Sequence, residues 1–127
     1  MKLLLDTHIL LWAAAGTLPK KAAALIKNEA NTLLFSAASI WEIVIKNGLN
    51  RSDFQVDASM LYNGLLDNGY NEIAISGSHS LIVGKLPSLH KDPFDRIIVA
   101  QAQHEKATII TSDEILTEYP CSVIFVK

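Results

Sequence analysis

The sequence predicts an α/β sandwich, and three observations point to it. First, Leu3–Leu5, Thr32–Phe35, Glu72–Ile75, Thr108–Thr111 and Ser122–Val126 are short, apolar and often β-branched, without the polar alternation of a half-solvated strand. Such runs suit a parallel sheet covered on both faces. Second, helix-length stretches separate them: Thr7–Ala15, Lys20–Asn28, Ala37–Asn47, Ala58–Asp67, His79–Lys85, Pro93–Lys106 and Glu114–Glu118. Strands alternating with helices imply right-handed crossovers and a layered fold. Third, no Pro/Gly/Ser-rich linker, repeat or low-complexity segment divides the 127 residues, which predicts one domain over residues 1–127.

Taken in chain order, the elements draw attention to four acids. The first strand runs directly into Asp6. An Asp between a strand and a helix is a preferred N-cap, but in open α/β folds the functional site also lies beyond the carboxyl ends of the strands. In the helix Ala37–Asn47, Glu42 shares the polar side with Ser39 and Lys46, and an i,i+4 Glu–Lys surface pair accounts for it. It also borders the arc carrying Ala38 and Ile45, so it is placed to face a cleft.

The run Asp92-Pro93-Phe94-Asp95-Arg96 opens the longest clear helix. Pro93 suits the first helical position and makes Asp92 the natural N-cap. Asp95 shares a face with Ile98, Val99 and Ala102, the expected core stripe. A carboxylate there must be protonated, hydrogen-bonded or metal-bound, because burying an unpaired charge is costly; the simpler reading is that it complements the positive helix N-terminus. Arg96 points elsewhere around the helix and is a poor partner for it. The fourth acid, Asp113, follows the run Thr108–Ser112, and again either an N-cap or a site residue fits.

Composition narrows the function. The formal charge is −2, and the eleven Lys and Arg are scattered, with only Lys20 and Lys21 adjacent. A high-affinity nucleic-acid binder usually carries a basic stripe; an enzyme that holds its substrate briefly through a metal needs none. Hydrophobic residues make up 50%, ample for one core. Cys121 has no internal disulfide partner and reads as a buried thiol in a reducing compartment. Met1–Leu5 resembles a signal start, but Asp6 interrupts it. Uncharged stretches such as Thr7–Pro19 fall short of the ~18 apolar residues of a membrane span. A soluble, cytoplasmic protein without membrane contact is expected.

Rival chemistries lack their residues. A haloacid-dehalogenase phosphatase needs a second Asp two positions after the first, where this chain has His8. His8, His79, His90 and His104 show no patterned partners and read as non-catalytic. No Gly-rich phosphate loop follows any strand. Trp12 and Trp41 lack basic and aromatic interleaving and read as core or interface anchors.

Together the acids carry more than they do singly. Leu4-Leu5-Asp6-Thr7-His8, Ser39-Ile40-Trp41-Glu42-Ile43, Asp92-Pro93-Phe94-Asp95-Arg96 continuing to Ala100-Gln101-Ala102, and Ile110-Thr111-Ser112-Asp113 occur in that order. The arrangement resembles the PIN-domain ribonucleases, in particular the VapC-type toxins of VapBC toxin–antitoxin pairs and their DPFDR subgroup. The resemblance spans essentially the whole chain. It implies a three-layer α/β/α sandwich on a mostly parallel sheet of about five strands. It also implies an acidic pocket of Asp6, Glu42, Asp95 and Asp113, with Thr7 and Thr111 or Ser112 orienting it. The implied activity is Mg²⁺- or Mn²⁺-dependent hydrolysis of RNA, in which Asp6 and Asp95 bind the principal metal. Asp113 then contributes directly or through water, and Glu42 orients the attacking water or supports a second ion. Oxygen-only ligands suit such hard cations. The implied partners are RNA and a small antitoxin; apolar surplus adds the expectation of a homodimer. The alternatives are an inactive PIN-fold binding module and a free-standing RNA-processing nuclease. Beyond Lys46, the stretch Asn47-Gly48-Leu49-Asn50-Arg51 matches no further motif.

Overall fold

The computed structural model describes residues 1–49 and 54–127, so Asn50 and Arg51 of the motif-free stretch lie outside it. Its centre is the strand β1 (Lys2–Leu5), whose Leu3, Leu4 and Leu5 are fully buried. β1 pairs in parallel with β2 (Thr32–Ser36) on one side and β4 (Thr108–Thr111) on the other. β3 (Asn71–Ile73) extends the sheet beyond β2, and β5 (Ser122–Phe125) extends it beyond β4. The order is β3-β2-β1-β4-β5, and every pairing is parallel.

Side-chain alternation along these strands feeds two cores. Leu3, Leu5, Phe35 and Ile110 face a cluster with Ile9 and Leu10 of α1 (Thr7–Ala15), Ala22 of α2 (Lys20–Lys27), Ile43 of α3 (Ala37–Asn47), and Leu61 and Leu65 of α4 (Ala58–Asp67). Leu4, Leu34 and Ile109 face the opposite cluster, with Ile98, Val99 and Ala102 of α6 (Pro93–Glu105) and Leu116. Both faces are covered, which explains the continuous apolar runs. α5 (Gly77–Val83) packs against α6. Residues Glu114–Glu118 form a 3-10 turn rather than an α-helix.

The helix ends are set locally. Asp6, Ser36, Asp57, Ser76 and Asp92 each accept a backbone N–H at the start of a helix, a contact typically worth about 1 kcal/mol. Asp92 takes the amides of Phe94 and Asp95, the capping role its place before Pro93 predicts. α1 stops at Gly16, whose φ of 73° is open to glycine at little steric cost.

Two elements differ from the sequence-based expectation by more than one residue at an end. β3 spans Asn71–Ile73 instead of Glu72–Ile75, because the Ala74 carbonyl accepts from the buried Gln101 side chain of α6 instead of continuing the ladder. α5 begins at Gly77 instead of His79, because Ser76 and His79 exchange capping hydrogen bonds.

The sheet winds outward from β1 in both directions: first to β2 and β3, then across to β4 and β5. The reversal lies between β1 and β4, where an open α/β sheet leaves a crevice at the carboxyl ends of its strands.

Candidate active site

Asp6 leaves the carboxyl end of β1 and Asp113 follows the carboxyl end of β4, so both flank that crevice. Asp6 both caps α1 and reaches across to β4. Its Oδ1 accepts the Ile9 amide at 3.0 Å, while its Oδ2 accepts the Thr111 hydroxyl. The same Thr111 oxygen accepts the Asp113 amide at 3.0 Å. One threonine at the end of β4 thus ties the first acid to the last.

Glu42 is buried, at 6% exposure, against the simpler expectation of a surface residue. The i,i+4 ion pair with Lys46 is present, with Nζ 3.1 Å from Oε2, yet it seals one side of the carboxylate instead of exposing it. The other oxygen accepts the Thr7 hydroxyl at 2.7 Å, and Thr7 also lies 2.9 Å from Ser39 Oγ. Thr7 follows Asp6 in the chain, so α1 links Glu42 to the acid of β1.

Asp95 sits in the first turn of α6, half-buried, with its Oδ2 2.8 Å from His90 Nε2. The same imidazole nitrogen lies 3.5 Å from Asp113 Oδ2. His90, Asp95 and Asp113 each offer a ligand atom, all within 4.8 Å of one another. The expectation that His90 is a bystander did not anticipate this position. The four sequence-predicted acids therefore form a linked series: Glu42–Thr7, Asp6–Thr111, Asp113–His90–Asp95. Arg96 makes no bond to Asp95, and instead holds the backbone ahead of the helix.

Burial and crowding set the electrostatics. Burial raises the Asp6 carboxyl above its ordinary value; the Thr111 and Ile9 bonds pull it back, and Asp113 adds to the rise. Asp95 is pushed up to about 7, first by burial and then by the negative Asp92, against the opposing hydrogen bond from His90. Carboxyl groups in this state lack enough positive charge around them. A divalent cation would supply it, and the donor set of carboxylate oxygens with one imidazole fits such an ion.

A second His/acid group occurs at the other end of α6. His79 Nε2 lies 3.8 Å from Glu105 Oε2, and His104 Nδ1 lies 2.8 Å from that same oxygen. The rings of His79 and His104 meet edge to face at 4.9 Å. Here, however, the Ser76 amide donates to His79 Nδ1 at 3.0 Å. That nitrogen must keep its lone pair, so Nε2 of the neutral ring carries the proton. The buried Nε2 has no hydrogen-bond partner, and it presents N–H rather than a lone pair to the cluster. A cation would meet the wrong end of the ring.

Comparison with known proteins agrees with this architecture. Comparison with curated protein sequences returns no significant match. Among solved structures, the chain is similar to one of VapBC2 from Rickettsia felis bound to a promoter DNA fragment, with a TM-score of 0.73 and 21% identity over 98% of each chain. DNA-bound VapBC from Salmonella typhimurium gives a TM-score of 0.72 at 12% identity, again over 98% of each chain. FitAcB from Neisseria gonorrhoeae gives 0.63 at 17% identity, covering 98% of this chain and 96% of that one. At such identities the likeness is one of fold. The sequence itself matches the PIN domain over residues 3–120, and the chain belongs to the PIN domain family.

Proposed function

We propose that the protein is a metal-dependent endoribonuclease, the toxin of a type II toxin–antitoxin pair. The observation that carries this reading is the linked series of four acids at the crevice between β1 and β4, two of them with carboxyl groups raised by burial. Asp6, Asp95 and Asp113 would hold a Mg²⁺ or Mn²⁺ ion, with Asp6 and Asp95 as principal ligands. When bound, that ion activates water and neutralises charge on the phosphoryl oxygens.

The chain's own residues do the rest. Thr111 fixes the Asp6 carboxylate and the start of the Asp113 turn together, so the two acids keep their spacing. Thr7 and Lys46 hold both oxygens of Glu42, which orients that carboxylate toward an attacking water instead of leaving it free to rotate. Lys46 is partly exposed and brings the nearby positive charge, suited to a backbone phosphate. With no basic stripe, affinity for RNA depends on the cation, and the protein acts as an enzyme more than a binder.

The structures it resembles are toxin–antitoxin complexes, which supports a small antitoxin as partner. A groove of about 980 Å³ is lined by Leu11, Trp12, Ile26, Val56, Met60 and Leu61, and none of the four acids borders it. It suits the apolar side of an inhibitor's tail, while an Arg or Lys of that tail would pair with the acids. α3 and the residues just beyond it expose Trp41, Val44, Ile45 and Leu49, at i, i+3, i+4 and i+8. This stripe fits a C₂ homodimer, the role of interface anchor expected for Trp41. No single helix among the described residues is long and apolar enough to cross a membrane, consistent with a cytoplasmic site of action.

The test is cleavage of single-stranded RNA by the purified chain with Mg²⁺ or Mn²⁺. Cleavage stops with EDTA and is lost in Asp6→Asn. Equal cleavage by Asp6→Asn, or none by the parent with either ion, refutes the reading. Persistence of activity alongside every neighbouring or co-purifying protein would remove the toxin assignment and leave a free-standing RNA-processing nuclease.

A further inference from the structure

The segment before α6 is held with unusual completeness by one side chain. Arg96 Nη1 donates to the carbonyls of Pro87 at 2.8 Å and His90 at 3.4 Å, and Nη2 donates to that of Val83 at 3.1 Å. Nη1 also donates to the Tyr119 hydroxyl at 3.3 Å. Arg96 therefore staples residues 83–90 onto the first turn of α6, and the staple fixes the backbone of His90. Its ring then reaches Asp95 and Asp113 through Nε2. Among the described residues, no hydrogen bond engages its Nδ1. In the cation-free chain Nε2 hydrogen-bonds Asp95; when a cation displaces that bond, Nδ1 can carry the proton of the neutral ring and Nε2 turns its lone pair to the ion.

We propose that His90 is a ligand of the cation held by Asp95 and Asp113, and that it biases the site toward Mn²⁺ over Mg²⁺. The inference rests on the reading of the acids as a cation site, and adds a nitrogen donor to a set otherwise made of oxygen. Mg²⁺ strongly prefers oxygen and retains its waters, whereas first-row transition ions gain affinity from an imidazole. Arg96 acts through His90 as a positioning residue. The other histidine cluster supplies the contrast: His79 has its Nδ1 committed to a capping bond and has no lone pair to give.

The test uses the full chain with Mn²⁺ alone and Mg²⁺ alone. Mn²⁺ binding is followed by electron paramagnetic resonance, and Mg²⁺ binding by competition against it. His90→Gln should weaken Mn²⁺ binding at least about tenfold while changing Mg²⁺ binding less than about threefold. The bound Mn²⁺ of the parent should show nitrogen hyperfine coupling, absent in His90→Gln. That signal in the parent decides the question even if the variant folds poorly. Equal weakening of both ions, or bound Mn²⁺ without nitrogen coupling, overturns the proposal and makes His90 a mere hydrogen-bond donor to Asp95. A parent chain that binds neither ion overturns the reading of the acids as well.

Discussion

At the amino end of α6, His90, Asp95 and Asp113 converge; at its carboxyl end, His79, His104 and Glu105 do the same. From Asp95 to His104 the helix rises about 14 Å, so the two groups are separate. They use the same residue types, yet only one has the makings of a cation site. The first lies where the winding of the sheet reverses, with Asp6 adding a further carboxylate. The second lies by the amino ends of β1 and β4, where Lys2 Nζ donates to the Glu105 carbonyl at 3.3 Å, with a carboxylate that the His104 hydrogen bond holds below its ordinary value. The second group is also closed by a capping bond that fixes the tautomer of His79. Residue type and proximity therefore do not define a site. What matters is where the topology places the group, and what each ring nitrogen is already doing.

The largest effect that would break this contrast concerns the acids themselves. Asp95→Asn should lower RNA cleavage at least about 100-fold, since the charge stabilisation supplied through a metal is worth several kcal/mol. Asp92→Asn, three residues away, should stay within about threefold of the parent, because Asn caps a helix as well as Asp does. Initial rates at saturating Mn²⁺ check both.

Next comes the dependence of stability on pH. In the folded, cation-free chain Asp95 keeps its proton up to about 7, against an ordinary value of 3.8. Between those values the folded state binds more protons than the unfolded one, so stability falls as pH rises and levels off above about 7. The raised Asp6 carboxyl acts in the same direction. Asp95→Asn should flatten this slope and raise the cation-free melting temperature at neutral pH. A variant that melts clearly below the parent there would make Asp95 a structural hydrogen-bonding residue.

Smaller effects sharpen the contrast. Arg96→Lys keeps the charge but cannot reach Val83, Pro87 and His90 together; denaturant unfolding should show a loss of about 1–3 kcal/mol. His104→Ala removes only an exposed pair with Glu105, and should change stability by less than about 1 kcal/mol and cleavage not at all.

Much of this was legible in the chain. The alternation of apolar runs and helices gave the layered fold, and the runs ending at Asp6 and Asp113 located the crevice. Asp92 is the cap that its place before Pro93 predicts, and Asp95 falls in the first turn beside His90 and Asp113. Other features depended on contacts that pattern does not carry. Glu42 with Lys46 looks like any surface pair, and its burial comes from Thr7 on another helix. His90 has no motif of its own. It joins the acids because Arg96 grips three carbonyls as distant as Val83. Cys121 is only half-buried where a buried thiol was expected, although burial still pushes its pKa up. Trp12 packs partly against the core, while Trp41 is exposed and meets Phe94 edge to face at 5.3 Å.

The most direct measurement is a calorimetric titration of Mn²⁺ into the parent, Asp95→Asn and Glu105→Gln chains under one set of conditions. The parent and Glu105→Gln should bind alike, and Asp95→Asn should lose binding. Binding that survives Asp95→Asn, or disappears in Glu105→Gln, would place the cation at the wrong end of α6 and contradict the account.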